Sequence, residues 1–143
     1  MKDRYLYKAK RKDNGEWITG SLIIYEDGTC KIVTNRLEGD AVILINAYEV
    51  DKDTICQCTD LKDKKGKLIW ENDILYNGNY FIVKWNVPCA RFDIVLDNSH
   101  NIPMGTWEPM ICDWRNNDFK EYRKAVDYEV IGNIFDNEEL LKN

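Results

Sequence analysis

The chain has 143 residues, a length typical of one compact domain or of one domain with a small subdomain. Hydrophobic residues make up 44% of it and charged residues 31%, which excludes an intrinsically disordered chain. The formal net charge of −5 argues against a dedicated duplex-DNA binder, because such proteins need a basic face to neutralise phosphates.

The first third of the chain predicts β-hairpins. In RYLYKAK, Tyr5 and Tyr7 alternate with Leu6 and Lys8, which is typical of a strand. The pair Asn14-Gly15 that follows supplies the positive φ of a tight turn. The next strand, EWITGSLIIY, contains Gly20, which predicts a bulge or a close contact. A second turn, EDGT, leads into CKIVT. We therefore predict a hairpin from Glu16 to Thr34.

A loop and two further strands are predicted next. NRLEGD at 35–40 is typical of a loop. AVILINAYEV at 41–50 lacks the polar face of a surface helix and predicts a buried strand. DTICQCTDL at 53–61 alternates, which predicts another strand.

The segment LKDKKGKLIWENDIL at 61–75 predicts two chain reversals. Gly66 lies where a turn needs a positive φ, and hydrated lysines suit the exposed end of a hairpin. If LIWENDIL were extended throughout, its apolar side chains would be split between both faces. We therefore predict a turn at Glu71-Asn72-Asp73, in which Asp73 accepts hydrogen bonds from backbone N–H groups.

The β pattern continues after this segment. YFIVKW at 80–85 is predicted as a strand entered through the Asn77-Gly78 turn, and ARFDIVLD as the next strand. NSHNIPMGT at 98–106 is predicted as a long loop. WEPMICDW is predicted as an edge strand interrupted by Pro109.

Helix signals are confined to the C-terminal part. NNDFKEYRKAV at 116–126 has apolar residues on one helical face and is the main helix candidate. DYEVIGNIF predicts a last strand. DNEELLK at 136–142 predicts a short helix, with capping residues and acids first and a lysine last.

Together these patterns predict a mainly β protein. We expect antiparallel sheets in a barrel-like or sandwich-like arrangement, with one or two short helices near the C-terminus. The chain is predicted as a single domain over 1–143. A change of composition at Asp51–Thr54 separates a possible N-terminal hairpin subunit, 1–50, from a barrel-like part, 54–143.

The five cysteines are odd in number and contain no C-x-x-C pair, which indicates small buried side chains. Cys56 and Cys58 lie two residues apart and would share one face of a strand. With His100 they are candidate zinc ligands, but the usual ligand spacing is missing and His100 lies in a turn-like stretch. We predict no metal and no cofactor.

Three stretches carry a family resemblance. TICQCTDLKDKKGKLIWENDIL resembles the signature of YopX-like phage proteins, in which Q-x-T-G-L-x-D-K-N-G-K-x-I-[YW]-E-G-D-I recurs. YEVIGNIFDNEELL resembles the closing VIGNIY-E-N-P-E-L-L of that family, and YLYKAKRKDNGEWITGSL is typical of its beginning. The matching residues that we interpret as structural are Gln57, Thr59, Leu61, Asp63, Gly66, Glu71, Asp73, Gly132 and Asn133.

Several residues of the chain depart from the family pattern, and three of these departures are at glycine or proline positions of the pattern. Asp60 and Asn72 each replace a glycine, and Glu138 replaces a common proline. Asn tolerates a left-handed backbone better than most residues, so we expect the bend at Asn72 to survive. Asp60 argues against a role that requires close backbone approach there.

The resemblance implies a β-rich protein encoded by a phage, a prophage or another mobile element. No activity is settled for the family, so no residue inherits a catalytic role. No apolar run approaches the about 20 residues of a membrane-spanning helix, and the N-terminus lacks the apolar core of a signal peptide. We therefore expect a protein of the bacterial host cytoplasm with no membrane partner.

Three functional hypotheses follow. The first is a non-enzymatic module that binds a host or phage protein, with Trp70, Tyr76 or Trp107 as candidate anchors and homo-oligomers through strand edges. The alternative interpretation of Trp70, and of Trp85, is a core aromatic.

The second hypothesis is a single-stranded nucleic-acid binder, since basic residues beside aromatic ones suit base stacking. The net charge and the interleaved acids do not favour it. The candidate binding residues are Lys62, Lys64, Lys65, Lys67, Trp70, Tyr76 and Tyr80.

The third and least favoured hypothesis is a metal-dependent nuclease. It would use Glu71, Asp73 and another acid such as Asp93 or Asp97, but spacing alone does not show that these carboxylates converge. We assign no catalytic residue.

Overall fold

The structure, a computed structural model, describes residues 5–38, 40–96, 100–103 and 128–142. Within these residues the chain forms antiparallel β-strands in two sheets, and its helical segments are short 3₁₀ turns. The prediction of a mainly β, antiparallel protein is confirmed. The chain divides into two compact units, Met1–Cys58 and Thr59–Asn143, which we call the N-terminal unit and the C-terminal unit.

The N-terminal unit is a sheet of antiparallel hairpins. Its strands are β1 (Tyr7–Lys10), β2 (Trp17–Ile24), β3 (Cys30–Glu38), β4 (Ala41–Glu49) and the first residues of β5 (Cys56–Lys62). They lie in the order β4-β3-β2-β1-β5. A 3₁₀ turn at Lys52–Thr54 leads from β4 to β5.

Glycines shape this sheet as the sequence predicts. Gly15 and Gly28 have φ of 72° and 87° in the two hairpin turns. Gly20 makes the close contact expected of it, because a Cβ there would lie 2.4 Å from the carbonyl oxygen of Val33 on β3. The core of the unit is small, with Ala9, Cys30, Ile32 and Val50 buried together.

The prediction of a loop at 35–40 is wrong for residues 35–38, which belong to β3, while Asp40 lies in a turn. β3 continues through Glu38 and pairs with β4 from Lys31 opposite Glu49 to Glu38 opposite Ala41. Each backbone N–H and C=O needs a partner regardless of its side chain, so polar residues extend a ladder when the facing segment stays extended. The apolar run that begins at Ala41 provides that segment.

The C-terminal unit contains the rest of β5 and six further strands. These are β6 (Leu68–Trp70), β7 (Asp73–Tyr76), β8 (Tyr80–Asn86), β9 (Arg91–Leu96), β10 (His100–Pro103) and β11 (Glu129–Asn133). β6 lies beside β5, and the others form a sheet in the order β10-β9-β8-β7-β11.

Among the described residues, the core of the C-terminal unit is larger than that of the N-terminal unit. Leu75, Phe81, Val83 and Ile94 come from three adjacent strands, and the ring of Tyr128 meets that of Phe81 edge to face, with centroids 5.3 Å apart. Burial of a side chain of this size contributes roughly 1.5–3 kcal/mol. This core provides the rigid base from which the turns of the unit project.

Several predictions in this part of the chain need correction. Part of the segment 98–106 is strand β10, which pairs antiparallel with β9, so the long loop predicted there is wrong. Trp85 is 39% exposed rather than a core residue. Cys89 is exposed in a turn, whereas Cys56 and Cys58 are buried, as predicted. Cys112 lies outside the described residues.

The C-terminal helix is shorter than its sequence suggests. A 3₁₀ turn occupies Glu138–Leu141, and its N-cap residue Asn137 makes no capping hydrogen bond through its side chain. The main helix candidate at 116–126 and the edge strand at 107–114 lie outside the described residues.

Candidate functional site

The DKKGK turn between β5 and β6 is organised by the carboxylate of Asp63. Its Oδ1 accepts hydrogen bonds from the N–H groups of Lys65 and Lys67, each at 2.8 Å. Its backbone C=O accepts from the N–H of Gly66 at 3.0 Å. Because the residue is only 3% exposed, Asp63 acts as the internal brace of the turn rather than as a ligand-binding group.

The other carboxylate oxygen of Asp63 reaches β11. Oδ2 accepts a hydrogen bond from the N–H of Val130 at 2.9 Å, 67 positions along the chain. Beside it, the N–H of Lys64 donates to the carbonyl oxygen of Tyr128 at 2.9 Å. Asp63 therefore joins the turn of the first family motif to the strand of the closing motif.

The pKa of Asp63 reflects this environment. Burial alone raises it, because burial favours the neutral acid. The N–H groups of Val130, Lys67 and Lys65 and the charge of Lys67 stabilise the carboxylate more strongly, so the pKa lies below the usual value for Asp. The group is thus a charged, buried acceptor at neutral pH.

In β5, the residue that replaces the first family glycine, Asp60, has a left-handed backbone conformation. Asp60 has φ of 63°, a conformation that glycine adopts without strain and that Asp tolerates better than most residues. On either side, the hydroxyl of Thr59 donates to the carbonyl oxygen of Ile69 at 2.7 Å and accepts from the N–H of Leu61 at 3.2 Å. The family glycine is explained by backbone conformation.

The predicted turn between β6 and β7 is confirmed. Oδ2 of buried Asp73 accepts a hydrogen bond from the N–H of Trp70 at 2.8 Å. Asn72, at the second replaced glycine, has φ of 68°. Its N–H donates to the carbonyl oxygen of Val83 at 2.8 Å, and its C=O accepts from the N–H of Ile134 at 3.0 Å. The bend survives the replacement, as expected.

The closing motif forms a third turn. Oδ1 of Asn133 accepts hydrogen bonds from the N–H groups of Phe135 and Asp136, each at 2.9 Å. Oδ1 of Asn137 accepts from the N–H of Asn133 at 3.2 Å. A Cβ on Gly132 would lie 2.4 Å from that amide oxygen, so the close approach of Asn137 requires glycine.

The remaining motif residues occupy structural positions too. Gln57 lies opposite Tyr7 in the pairing of β5 with β1. Leu61 packs against the core of the C-terminal unit, and Glu71 is half-buried in its turn.

One surface of the C-terminal unit brings several predicted binding residues together. Lys65 Nζ lies 2.6 Å from Glu129 Oε1, and Lys64 Nζ lies 3.8 Å from Oε2 of the same carboxylate. Glu129 pairs across the sheet with Tyr76, and Tyr76 with Tyr80, so these three side chains share one face. We call these five residues the exposed row.

The two tyrosines form the aromatic end of the exposed row. Tyr76 is 41% and Tyr80 is 37% exposed, and their ring centroids lie 5.2 Å apart at an angle of 48°. At the other end, the hydrogen bond from Lys65 lowers the pKa of Glu129 and raises that of Lys65. Both lysines are thus engaged with an acid that the sequence interpretation missed, because Glu129 is remote in the chain and nothing in its local pattern marks it.

The other predicted binding residues lie elsewhere. Lys62 and Lys67 are exposed, and neither forms an ion pair within the part of the chain that the structure describes. Trp70 is only 9% exposed and belongs to the interior, so Tyr76 and Tyr80 are the predicted aromatics that offer ring surface. Trp107 lies outside the described residues.

Two of the carboxylates considered for metal binding, those of Asp73 and Asp93, accept hydrogen bonds from other groups of the protein. Buried Asp93 accepts from Asn86 Nδ2 at 2.7 Å and from Arg91 Nε at 2.8 Å. Asp73 accepts from a backbone N–H in its turn, and Asp97 lies outside the described residues. Within the described ranges, no three His, Cys, Asp or Glu side chains are grouped to hold a metal ion. The predicted zinc site of Cys56, Cys58 and His100 also requires the side chain of His100, which lies outside the described part of the structure.

The N-terminal unit contains an open cleft of about 260 Å³ between the second hairpin turn and the 3₁₀ turn. Its acids already have donors. Asp27 accepts from the N–H of Thr29 at 2.8 Å, Asp51 accepts from a backbone N–H, and Glu49 pairs with Lys12 at 3.0 Å. These hydrogen bonds and this ion pair favour a structural role for the acids that line the cleft.

These features define a mainly β protein in which the sequence motifs build turns and tie them to a distant strand. The chain matches the YopX protein family over residues 6–142 and therefore belongs to it. No curated protein matches the chain significantly. In the described ranges, no helix has the length and apolar character needed to cross a bilayer.

Proposed function

We propose that the chain is a non-enzymatic binding module that holds a host or phage protein through the exposed row. The exposed Tyr76–Tyr80 pair is the observation that carries this proposal. Tyrosine supplies a large amphipathic surface at low conformational cost and is enriched at interface hot spots. The family membership supports an accessory protein of a phage or prophage, acting in the bacterial cytoplasm.

A protein partner is favoured over nucleic acid by the charges around the tyrosines. A strand-tracking groove needs lysines available to phosphates. Lys64 and Lys65 instead share the carboxylate of Glu129, which would repel a phosphate. The net charge of −5 points the same way.

Affinity capture from host cytoplasm tests the proposal. We expect the wild-type chain to recover a specific protein that Tyr76→Ser/Tyr80→Ser does not recover. Tyr25→Ser is the matched control, because Tyr25 is 45% exposed on the N-terminal unit. Recovery of the same protein by all three chains would contradict a role for the exposed row.

Nucleic acid is scored in the same experiment. Recovered oligonucleotide that depends on Tyr76 and Tyr80, with an electrophoretic shift at low salt that weakens at moderate salt, would support the single-stranded nucleic-acid hypothesis instead. For the nuclease hypothesis, wild type and Glu71→Gln are compared in magnesium-dependent cleavage. Equal background activity in both would end that hypothesis.

A further inference from the structure

The edge of the N-terminal sheet is partly covered by its own chain. β4 is the last strand in the order, and β3 is its only strand partner among the described residues. At the end of β4, the N–H of Lys12 donates to the carbonyl oxygen of Glu49 at 3.0 Å, and the N–H of Asp51 donates to that of Lys10 at 2.8 Å. The end of β1 and the residues after it therefore pair with the edge of the sheet at Glu49 and Asp51. These hydrogen bonds do not extend to the part of β4 before Glu49.

The edge before Glu49 is open within the described part of the chain. The N–H of Val50 donates to Cys30 on the β3 side, and antiparallel pairs alternate between bonding inward and outward. Counting back along the register, Ala47 opposite Val33 directs its N–H and C=O away from β3. A further strand could bond there without disturbing the existing pairing.

The sequence of this edge lacks the usual protection against pairing. Natural edge strands carry lysine, proline or inward-pointing charges that discourage addition of another strand. From Ala41 to Tyr48 the chain reads AVILINAY, with no charge and no proline. Two such edges could pair with each other without placing like charges opposite.

A β-bulge in this strand restricts which strand can pair with its edge, because a bulge discourages a partner of regular shape. The register between β3 and β4 shifts between Thr34 and Asn35, which leaves Ile45 as the extra residue of β4. A bulge bends its strand. In a two-fold arrangement with the axis perpendicular to the sheet, the copy carries the same bulge and bends toward the same face, so the edges match in shape.

We propose that β4 of one copy pairs antiparallel with β4 of a second copy over Ala41–Tyr48, which forms a two-fold dimer of the N-terminal units. The proposed contact consists of β4 residues, and none of these belongs to the exposed row of the C-terminal unit. The inference therefore stands independently of the proposed function, and either can fail alone.

Sedimentation of the full chain at several concentrations tests the dimer. We expect twice the mass of one chain for wild type, and the mass of one chain for Ala47→Pro at the same concentrations. Proline at position 47 removes an outward N–H and leaves the bonds to β3 intact. Ala47→Val keeps the N–H and serves as the matched control, with the wild-type mass expected. Far-UV circular dichroism verifies that all three chains are folded.

Hydrogen exchange of the wild-type chain keeps the test decisive if Ala47→Pro fails to fold. We expect the amides of residues 41–48 to become at least tenfold slower to exchange as concentration rises, while those of Asp73–Tyr76 do not change. A wild-type chain that stays monomeric at all concentrations would overturn the proposal. So would a dimer in which Ala47→Pro is folded and still fully dimeric.

Discussion

Two turns in this protein share one local design, but only one of them connects distant parts of the chain. In each, an aspartate Oδ1 accepts a hydrogen bond from the N–H two residues later, at 2.8 Å, and a glycine with positive φ completes the turn. The first turn uses Asp27 and Gly28, with φ of 87°, and the second uses Asp63 and Gly66, with φ of 82°. The difference lies in what the second carboxylate oxygen contacts.

Oδ2 of Asp63 accepts a hydrogen bond from the N–H of Val130 on β11, whereas Asp27 accepts from the N–H of Thr29 inside its own turn. Asp63 is buried and Asp27 is exposed. A buried donor that loses its acceptor is costly, while an exposed donor bonds to water instead. The same sequence pattern therefore stabilises only its own turn in the N-terminal unit. In the C-terminal unit it also joins the turn to a distant strand.

The largest expected effect comes from Asp63→Ala. The substitution leaves three backbone N–H groups without their acceptor, and we expect the free energy of unfolding to fall by about 3 kcal/mol. Urea denaturation followed by circular dichroism measures it. Asp27→Ala is the matched control and should cost much less. Equal losses in the two variants would show that the link to Val130 contributes nothing.

Gly132→Ala should have the next largest effect, because the new Cβ meets the side chain of Asn137. We expect a loss of about 2 kcal/mol, as for other overpacked sites. The double variant Gly132→Ala/Asn137→Gly removes all three obstructing side-chain atoms of Asn137. In the Asn137→Gly background the substitution at Gly132 should therefore cost little, and a full additive loss would rule out the steric explanation.

Low pH should lower the free energy of unfolding, partly through protonation of Asp63. Its folded-state pKa lies below the unfolded value of about 3.9, so its contribution is fully present above that value and is lost as pH falls toward the folded pKa. We expect the urea midpoint to fall between pH 6 and pH 3 more steeply for wild type than for Asp63→Asn. Parallel pH profiles would contradict this linkage.

The turns are the part of this fold that the sequence predicts best. Their glycines and the Asp73 turn follow from rules that involve neighbouring residues, since a positive φ or an N–H two or three positions away is a local requirement. Gly66 and Gly78 accordingly have positive φ where their motifs require it.

Long-range relations escape such rules. Nothing near Asp63 identifies Val130 as a partner, and nothing near Lys65 identifies Glu129. Trp70 and Trp85 each follow a short apolar stretch, yet the first is buried and the second is exposed. Which aromatic enters the core is decided by packing between strands that are distant in sequence. The candidate site could be predicted in its parts, but its assembly around Glu129 could not.

The smallest effects should separate backbone strain from side-chain contacts at Asn72, where φ is 68°. Asn72→Ala keeps the backbone bonds to Val83 and Ile134 but places a poorly tolerated residue in the left-handed region, and we expect a loss of about 1 kcal/mol. Asn72→Gly removes that strain, offset by the greater freedom of glycine in the unfolded chain, and should gain about 0.5 kcal/mol. Urea midpoints measure both changes.

The same two substitutions at Asn79 are the control, because Asn79 lies in an exposed turn without a positive φ. There alanine should be tolerated at least as well as glycine, since alanine loses less chain entropy on folding. The preference for glycine over alanine should thus appear at position 72 alone. If alanine and glycine prove equivalent at 72, backbone conformation does not explain the family glycine, and the side-chain contacts of Asn72 must carry the bend.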